Sequence, residues 1–280
     1  APNRCVASHR PRGAGYDPTT KKLFVTYSSG IAVFDADVKL ARVIEHKQSI
    51  QLKDPFGLHI NSEKSLLVVA DTWNNRVLVI RTTDDSLVRC IGSHGKGGHG
   101  KFLYPIGVAM HPVSHRIYVC DAWNHCVQVF SEDGAFLFQF GSQGTGAGEL
   151  SFPRYVAIDH DAEEVYVTEC TQNNRVLVFS ASGEYRRHFG SYGTGDNRFH
   201  VPGGIVLHPV TSEIIVADSG NNRLQVLDRQ GNFLRSVGSE GDGNNQFHEP
   251  WGLWVNPTSG HVLVADHHNN RICVLPWPCA

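Results

Sequence analysis

The sequence lacks any apolar run long enough to span a membrane, and it lacks an excess of charge of either sign. A spanning helix needs about 18 apolar residues, whereas the runs here are short, such as residues 66–70. The formal net charge is -2, which gives no global reason to expect a polyanionic partner but leaves room for a local basic patch. No secretory signal opens the chain, which begins at Ala1 rather than Met. We therefore expect a domain excised from a larger protein, without membrane insertion.

The sequence also lacks the cysteine spacing of a disulfide framework or a zinc site. Its seven cysteines are an odd number scattered through strand-like segments. This favours buried thiols in a reducing compartment, so we expect a cytoplasmic location. Cys120 and Cys126 flank one hairpin, where zinc or a disulfide is the alternative, but no second Cys or His pair lies nearby at metal-ligand spacing. We predict no metal and no cofactor.

What the sequence contains instead is a repeated strand–turn–strand phrase. Its clearest copy is residues 216–227, where β-branched and apolar residues flank the turn Asp-Ser-Gly-Asn-Asn. Further copies occupy residues 69–77, 119–127, 167–176 and 264–272. A second phrase, Pro-x-Gly in most copies, precedes each hairpin. Its third residues are at positions 57, 107, 155, 204 and 252, a period of 48 to 50 residues.

This period, with four short strand signals in each unit and a glycine-rich link after the fourth, is typical of β-propeller blades. A sixth unit lies upstream, where residues 22–34 match two strands joined by a shortened turn. We name the strands of each unit a to d in chain order. The sequence predicts a single-domain, all-β, six-bladed β-propeller with blades over residues 13–50, 51–100, 101–148, 149–197, 198–245 and 246–280.

The last unit stops after its third strand, and the start of the chain supplies a candidate for the fourth. Residues 4–9, Arg-Cys-Val-Ala-Ser-His, match residues 89–94, Arg-Cys-Ile-Gly-Ser-His, which form the d phrase of another unit. Residues 1–9 are therefore predicted to complete the sixth blade, closing the ring and hiding an open sheet edge. This closure would bring Cys5 close to Cys279, either as free thiols or as a disulfide.

Three motifs together resemble NHL repeats, the six-bladed propellers found in tripartite-motif proteins and in several enzymes. They are the Pro-x-Gly-Val start, the Asp-x-x-Asn-Asn-Arg hairpin and the Phe-Gly-Ser-x-Gly-x-Gly link. The resemblance covers essentially the whole chain. The sequence departs from the pattern in the first unit, which lacks the Asn-Asn-Arg turn, and at His125, Cys126 and Glu169 in the third and fourth units.

Polar residues that recur in nearly every unit are predicted to serve the blade itself. The hairpin Asp would accept hydrogen bonds from N–H groups of its loop, and the Arg opening strand c would pair with it or with a neighbouring blade. Asn tolerates the left-handed backbone that a tight turn needs. The alternative is a ring of catalytic or metal-binding carboxylates. The residues concerned are Asp71, Arg76, Asp121, Arg175, Asp218, Arg223, Asp266 and Arg271.

Function is sought where the units differ. Trp73 and Trp123 occupy equivalent hairpin positions in adjacent units, and an exposed aromatic pair indicates a binding surface. The alternative is that each indole packs on the neighbouring blade. We expect the hairpins and the links to share one face of the ring, and the basic residues of the links to contribute to binding there. The alternative is that these basic residues lie in solvated, flexible glycine loops without a binding role. The further candidate binding residues on this face and at the mouth of the central channel are His267, His268, Lys96, Lys101, Arg10, Arg12, Phe56, Arg154, Tyr155 and Trp251.

These features favour a non-enzymatic, monomeric interaction module that presents variable loops to a protein partner. The resemblance implies a place in a larger protein such as a tripartite-motif ubiquitin ligase. Single-stranded RNA binding is the alternative, because aromatic platforms and cations can hold bases and phosphates, although the near-neutral charge counts against it. A propeller lyase or hydrolase is a remote alternative. The His that amidating lyases carry after the strand-a proline is replaced by Phe56, Ile106, Arg154, Gly203 and Trp251.

Overall fold

The structure, a computed structural model, describes residues 4–7, 9–47 and 50–277, with only the backbone described for residues 4–7, 46 and 47. Within these residues the chain forms six four-stranded antiparallel sheets. The innermost strands of the sheets contact one another in a closed ring. The predicted all-β, six-bladed β-propeller is confirmed.

The strands follow one another with few helical interruptions. The first half contains β1 (Arg4–Ala7), β2 (Gly13–Asp17), β3 (Lys22–Tyr27), β4 (Gly30–Phe34), β5 (Leu40–Ile44), β6 (His46–Lys47), β7 (Ile50–Gln51), β8 (Leu58–Asn61), β9 (Leu66–Asp71), β10 (Arg76–Arg81), β11 (Leu87–Ile91), β12 (Ser93–His94), β13 (Lys101–Phe102), β14 (Pro105–Met110), β15 (Ile117–Asp121), β16 (Cys126–Phe130) and β17 (Phe136–Phe140). The second half contains β18 (Pro153–Asp159), β19 (Glu164–Glu169), β20 (Arg175–Ser180), β21 (Tyr185–Phe189), β22 (Ser191–Tyr192), β23 (Arg198–Phe199), β24 (Pro202–Leu207), β25 (Ile214–Asp218), β26 (Arg223–Leu227), β27 (Phe233–Val237), β28 (Ser239–Glu240), β29 (Gln246–Phe247), β30 (Pro250–Val255), β31 (Val262–Asp266) and β32 (Arg271–Leu275). Short 3₁₀ helices span Thr72–Asn74, Ala122–Asn124 and Ser219–Asn221.

Each blade is a meander of four strands, a to d, running from the central channel to the rim. Blades 1 to 5 are β2–β5, β8–β11, β14–β17, β18–β21 and β24–β27. Four pairs of two-residue strands lie in the links between blades: β6 with β7, β12 with β13, β22 with β23 and β28 with β29. The links therefore have hydrogen-bonded structure of their own.

The burial pattern follows the position of each strand in its blade. All six residues of β9 and of β20 are buried, because the middle strands are covered on both faces by neighbouring blades. The outermost strand β17 instead alternates between more exposed and less exposed residues, as expected where one face meets water. Among the described residues, no helix combines the length and apolarity needed to cross a bilayer.

The glycine of the Pro-x-Gly phrase is required by the close approach of adjacent strands a. The Gly57 N–H donates to the Ile106 carbonyl of the next blade at 2.9 Å. A Cβ at Gly57 would lie 2.5 Å from that carbonyl oxygen, and a Cβ at Gly107 would lie 2.4 Å from the Arg154 carbonyl oxygen. Glycine at this position lets the inner strands pack into a narrow ring.

The sixth sheet contains the two ends of the described chain. Its strand order is β1-β32-β31-β30, and β1 pairs antiparallel with β32, with Arg4 opposite Val274 and Ala7 opposite Arg271. The Arg10 N–H also donates to Asn270 Oδ1 at 3.0 Å. The predicted proximity of Cys5 and Cys279 falls outside the described residues, because Cys279 and the side chain of Cys5 are not described.

Candidate functional site: the loop face

In blades 2 to 6 the hairpin between strands b and c is tied to the link that enters the same blade. One oxygen of its carboxylate accepts a backbone N–H located 18 residues earlier, in that link. The pairs are Lys53 to Asp71 (2.8 Å), Leu103 to Asp121 (2.7 Å), Ser151 to Glu169, His200 to Asp218 (2.7 Å) and His248 to Asp266 (2.7 Å). The hairpins and links thus share one face of the ring, as predicted. We call this the loop face.

The carboxylate accepts an N–H from its own hairpin, as predicted, but this N–H belongs to a side chain: the Asn74 amide donates to Asp71 Oδ2 at 2.9 Å. The backbone N–H groups of the hairpin are satisfied elsewhere. In blade 2 the Trp73 N–H donates to the Lys53 carbonyl and the Asn75 N–H to the Thr72 carbonyl, each at 3.1 Å. The carboxylate of Asp71 is therefore available to hold the incoming link in place.

The arginine that opens strand c pairs with the carboxylate of its own hairpin in four blades. Arg223 Nε lies 2.8 Å from Asp218 Oδ2, and its NH2 group donates to the Gly195 carbonyl of the link at 2.7 Å. The carboxylates are buried, so each ion pair and its hydrogen bonds compensate for a desolvated charge. The other three pairs are Arg76 with Asp71 (2.7 Å), Arg175 with Glu169 (2.6 Å) and Arg271 with Asp266 (2.7 Å).

The second residue of the Asn-Asn pair joins each blade to the next. Asn75 has a left-handed backbone, with φ of 52°, and its side-chain oxygen accepts the Tyr104 N–H of blade 3 at 2.8 Å. The sequence predicted the left-handed backbone but not the bond between blades. The equivalent bonds run from Phe152 to His125 (3.2 Å), Val201 to Asn174 (2.8 Å), Glu249 to Asn222 (2.8 Å) and Arg10 to Asn270 (3.0 Å).

Blade 3 holds its carboxylate without an arginine. Cys126 stands at the arginine position, and Gln128 donates to Asp121 Oδ2 at 2.8 Å and to the Lys101 carbonyl at 2.7 Å, as Gln225 does for Asp218 in blade 5. Because Asp121 is buried without a cationic partner among the described residues, its pKa is raised to about 6. Burial likewise raises the pKa of the Cys126 thiol to about 12. Cys120 and Cys126 are free thiols, so the hairpin carries no disulfide.

Replacing Cys126 by arginine is expected to stabilise the protein, and blade 5 supplies the template. There Arg223 and Gln225 bind the same Asp218 oxygen together, at 2.8 and 2.9 Å. When the pKa of a carboxyl is higher in the folded than in the unfolded protein, the folded protein becomes less stable as the pH rises through the folded pKa. The gain from Cys126→Arg should therefore be small near pH 4.5 and reach on the order of 1 kcal/mol, about 2 °C in Tm, near pH 7.5. Thermal unfolding at both pH values measures it.

Ala135→Arg is the control for this substitution, because it adds the same charge at an exposed turn of the same blade. It should leave the Tm unchanged at both pH values. A Cys126→Arg gain that is equal at pH 4.5 and 7.5 would show that the new arginine does not act through the Asp121 carboxylate.

Two exposed indoles and a tyrosine form a continuous aromatic surface on the loop face. Trp73 and Trp123 are 53% and 51% exposed, although each lies in a short 3₁₀ turn held to its link. Tyr104 lies between them, with its ring centroid 5.9 Å from that of Trp73 and 5.3 Å from that of Trp123. We call these three residues the aromatic ridge. The sequence signal that could have identified Tyr104 is its place directly before the strand-a proline, a position that varies between blades.

The channel closes at the loop face through five residues brought together from four blades: Arg12, Phe56, Arg154, Tyr155 and Trp251. The Arg12 guanidinium lies 4.0 Å from the centroid of the Phe56 ring, and that of Arg154 lies 4.9 Å from a ring centroid of Trp251. The Tyr155 hydroxyl donates to the Arg12 carbonyl at 3.0 Å, and burial raises the pKa of this tyrosine to about 12. We call these residues the channel mouth.

The two arginines of the channel mouth differ in how their charge is balanced. Arg12 forms an ion pair with Asp54 at 2.7 Å, and Asp54 also accepts the indole N–H of Trp73 at 2.7 Å. Arg154 is only 6% exposed, and its Nε has no hydrogen-bond partner among the described residues. No described carboxylate pairs with it. The channel mouth therefore carries a buried positive charge, next to the aromatic ridge, that no described carboxylate pairs with.

The remaining candidates from the sequence occupy different environments. His267 is buried, stacks on Trp251 at 4.4 Å and contacts the Pro11 carbonyl through Nδ1, and burial lowers its pKa to about 4. His267 therefore packs against Trp251 and is not exposed to solvent, which differs from the prediction. His268 is partly exposed and lies 3.5 Å from Glu249. Lys96, Lys101 and Arg10 are exposed on the links.

Within the described part of the chain, no three His, Cys, Asp or Glu side chains form a group able to hold a metal ion. His111 and His208 instead hold the turns that follow them. The N–H groups of Val113 and Ser114 donate to His111 Nδ1 at 3.2 Å, and Val210 and Thr211 bind His208 Nδ1 in the same way.

Comparison with known families agrees with this geometry. A model of the NHL repeat matches residues 247–275, and a model described as a six-bladed β-propeller matches residues 101–188. The chain is a six-bladed β-propeller with an NHL repeat in its last blade. Each recurrent motif of this NHL propeller has a structural role, in the inner ring or in fixing the loop face.

Two curated relatives match a short part of the NHL propeller. Protein brain tumor of Drosophila melanogaster is 35% identical over 77 residues, which are 28% of this chain and 7% of that protein. The human E3 ubiquitin-protein ligase NHLRC1 is 32% identical over 72 residues, which are 26% of this chain and 18% of the ligase. The NHL propeller therefore spans less than a fifth of the length of either relative in these matches.

Solved structures with the same fold are more distant in sequence. An auxiliary nutrient binding protein from Bacteroides thetaiotaomicron is 13% identical with a TM-score of 0.71, covering 96% of this chain and 69% of that one. A streptogramin B lyase is 14% identical with a TM-score of 0.64, covering 98% and 97%. At these identities the likeness shows the fold alone, since one fold carries many functions.

Proposed function

We propose that this NHL propeller is a non-enzymatic binding domain that presents its loop face to a protein partner. The observation that carries the proposal is the aromatic ridge. Large aromatic side chains that remain about half exposed while their backbone is firmly held are typical of the residues that dominate binding energy at protein interfaces. Trp73 and Trp123 meet both conditions.

The charge at the channel mouth supports a partner with an acidic side chain at the centre of the contact. Arg154 has no counter-ion among the described residues, whereas Arg12 is already paired with Asp54. A carboxylate that reaches Arg154 gains a charge-assisted hydrogen bond in a site with little water. The expected partner surface therefore combines apolar groups for the aromatic ridge with a carboxylate for Arg154.

Similarity to part of an E3 ubiquitin-protein ligase supports a substrate-selecting role within a larger, cytoplasmic protein. In this proposal the propeller supplies recognition as a monomer and other domains supply the activity. Single-stranded RNA is the second candidate, because Trp73, Tyr104 and Trp123 could also stack bases. The formal net charge of -2 and the acidic residues Glu240 and Asp242 on a link favour protein over a polyanion.

Replacing both Trp73 and Trp123 by alanine is expected to weaken partner binding about 30-fold, because two interface anchors are lost. The Tm should fall by no more than about 2 °C, since both indoles are half exposed. Partners are first recovered by affinity purification of the wild-type protein, and the dissociation constant of each is then measured for wild type and variant with purified components.

The matched control is Val113→Ala with Val210→Ala, which removes two apolar side chains that are 72% and 77% exposed on the opposite face. This control should bind like the wild type. Arg154→Met tests the charge, and it should weaken binding of an acidic partner and reduce the salt dependence of that binding. Submicromolar binding of a random single-stranded RNA pool that weakens steeply with salt, with no protein partner affected by the tryptophan changes, would contradict the proposal in favour of RNA.

A further inference from the structure

The central channel contains a cavity of about 390 Å³ beneath the channel mouth. The five residues of the channel mouth close it towards the loop face, with Tyr155 forming part of its wall. At the other end, Ser62, Glu63, Pro112 and Pro257 line its opening between the turns that join strands a and b. The cavity therefore opens on the face opposite the aromatic ridge and is independent of the proposed partner site.

Differences in side-chain size between blades create this space. In blades 2 to 6, the residues two positions after the third residue of the Pro-x-Gly phrase (Tyr155 in blade 4) all line the cavity, and they range from alanine to tryptophan. They are His59, Ala109, Ala157, Val206 and Trp254. The short side chains of Ala109 and Ala157 leave free space in the channel that larger side chains, such as that of Trp254, would fill. The rest of the wall is mainly apolar, with residues such as Ile60, Val156 and Leu253.

His59 is a polar group in the apolar part of this wall that has no hydrogen-bond partner among the described residues. The nearby Asn61 is already engaged, since its oxygen accepts the Lys64 N–H at 3.1 Å and its amide nitrogen contacts Met110 Sδ at 3.2 Å. No described residue hydrogen-bonds the His59 ring. Burial lowers the pKa of His59 to about 4, so at pH 7 the neutral imidazole offers one donor and one acceptor.

We propose that this cavity binds a small, neutral aromatic molecule that carries one hydroxyl group, and that His59 forms a hydrogen bond with that hydroxyl. The volume lies within the usual range for small-molecule pockets, about 300 to 1,000 Å³. An apolar cavity of about 150 Å³ already holds benzene, so two fused rings fit here. An apolar wall with a neutral imidazole disfavours a charged ligand, which would lose its hydration without compensation.

The test uses 2-naphthol and naphthalene as probes, with binding to the purified wild-type protein followed by probe fluorescence and by saturation-transfer NMR. We expect saturable one-to-one binding of 2-naphthol, and about fivefold weaker binding of naphthalene, because it forms no hydrogen bond with His59. His59→Phe keeps a planar ring of similar size and should bind the two probes equally. Absence of saturable 2-naphthol binding to the wild-type protein overturns the proposal.

Cavity-filling variants distinguish the channel from the protein surface. Ala157→Leu and, separately, Ala109→Leu extend apolar side chains into the free space and should abolish binding of both probes. A variant is interpreted only if its circular dichroism spectrum matches the wild type, and two positions in different blades guard against misfolding of either. The Trp73→Ala and Trp123→Ala protein should bind 2-naphthol like the wild type. Undiminished binding to a folded cavity-filled variant, or loss of binding in the tryptophan variant, overturns the proposal.

Discussion

Replacing Asp218 by alanine should lower the free energy of unfolding by about 3 to 5 kcal/mol, the usual effect of breaking a buried ion pair by removing one partner. The fully buried carboxylate accepts four hydrogen bonds: from the His200 N–H (2.7 Å), Asn221 (2.8 Å), Arg223 (2.8 Å) and Gln225 (2.9 Å). All four donors lose their acceptor at once. Differential scanning fluorimetry should show a fall in Tm of about 10 °C.

Asp218→Asn tests whether charge and acceptor capacity, rather than size, explain this loss. Its amide oxygen can still accept the His200 N–H, but its NH2 group then faces three donors on the other side. It should cost nearly as much as alanine. Asp196→Ala is the control, because Asp196 is exposed on the neighbouring link and carries the same charge, and it should change the stability by less than about 0.5 kcal/mol. Equal Tm values for Asp218→Ala and Asp196→Ala would contradict the assigned role.

The fold could be predicted from the sequence because the same local chemistry recurs in almost every blade. The carboxylate holds the link, the left-handed Asn forms the turn, and the Pro-x-Gly glycine permits close packing of strands a. Nearly every blade needs these three features. Recurrence at a fixed period therefore predicts both the structure of a blade and the number of blades. Where the motif departs from the pattern, as at Cys126, Gln128 in the same strand still binds the carboxylate.

The candidate site could be predicted only in part, because its contacts join residues far apart in sequence. Trp73 and Trp123 were identified as equivalent positions in adjacent repeats, whereas Tyr104, which stacks between them, belongs to no repeated motif. The pairing of Arg12 with Asp54, and the solitary charge of Arg154, depend on how the ring brings blades together. Periodicity carries no information about such contacts.

Repeated and variable residues have complementary roles in this propeller. The repeated hydrogen bonds fix the backbone of each hairpin to its own link and to the next blade, for example through Asn75 and Tyr104. The two turn positions between Asp and the Asn pair are then free to vary without loss of structure. The backbone that carries a side chain placed there, such as Trp73, is already fixed, and in the proposed binding mode this lowers the entropic cost of association.

Replacing Gly107 by alanine is expected to destabilise the inner ring by about 3 kcal/mol, at the upper end of the usual cost of overpacking. The new Cβ would lie 2.4 Å from the Arg154 carbonyl oxygen and 2.6 Å from the Tyr155 Cα. Both are backbone atoms of the next blade, so no side-chain rotation can relieve the contact. Strand a of blade 4 must move, and with it the two residues that contribute to the channel mouth.

Gly195→Ala is the matched control for Gly107→Ala. Gly195 lies on a link, and a Cβ there would meet only the flexible Arg198 side chain, at 3.7 Å. This control should change the Tm by less than about 2 °C, whereas Gly107→Ala should lower it by about 6 °C or more. Because Arg154 and Tyr155 shift, Gly107→Ala should also weaken binding of the loop-face partner. Unchanged stability of Gly107→Ala would mean that adjacent inner strands have room for a side chain, and the glycine of the repeat would then need another explanation.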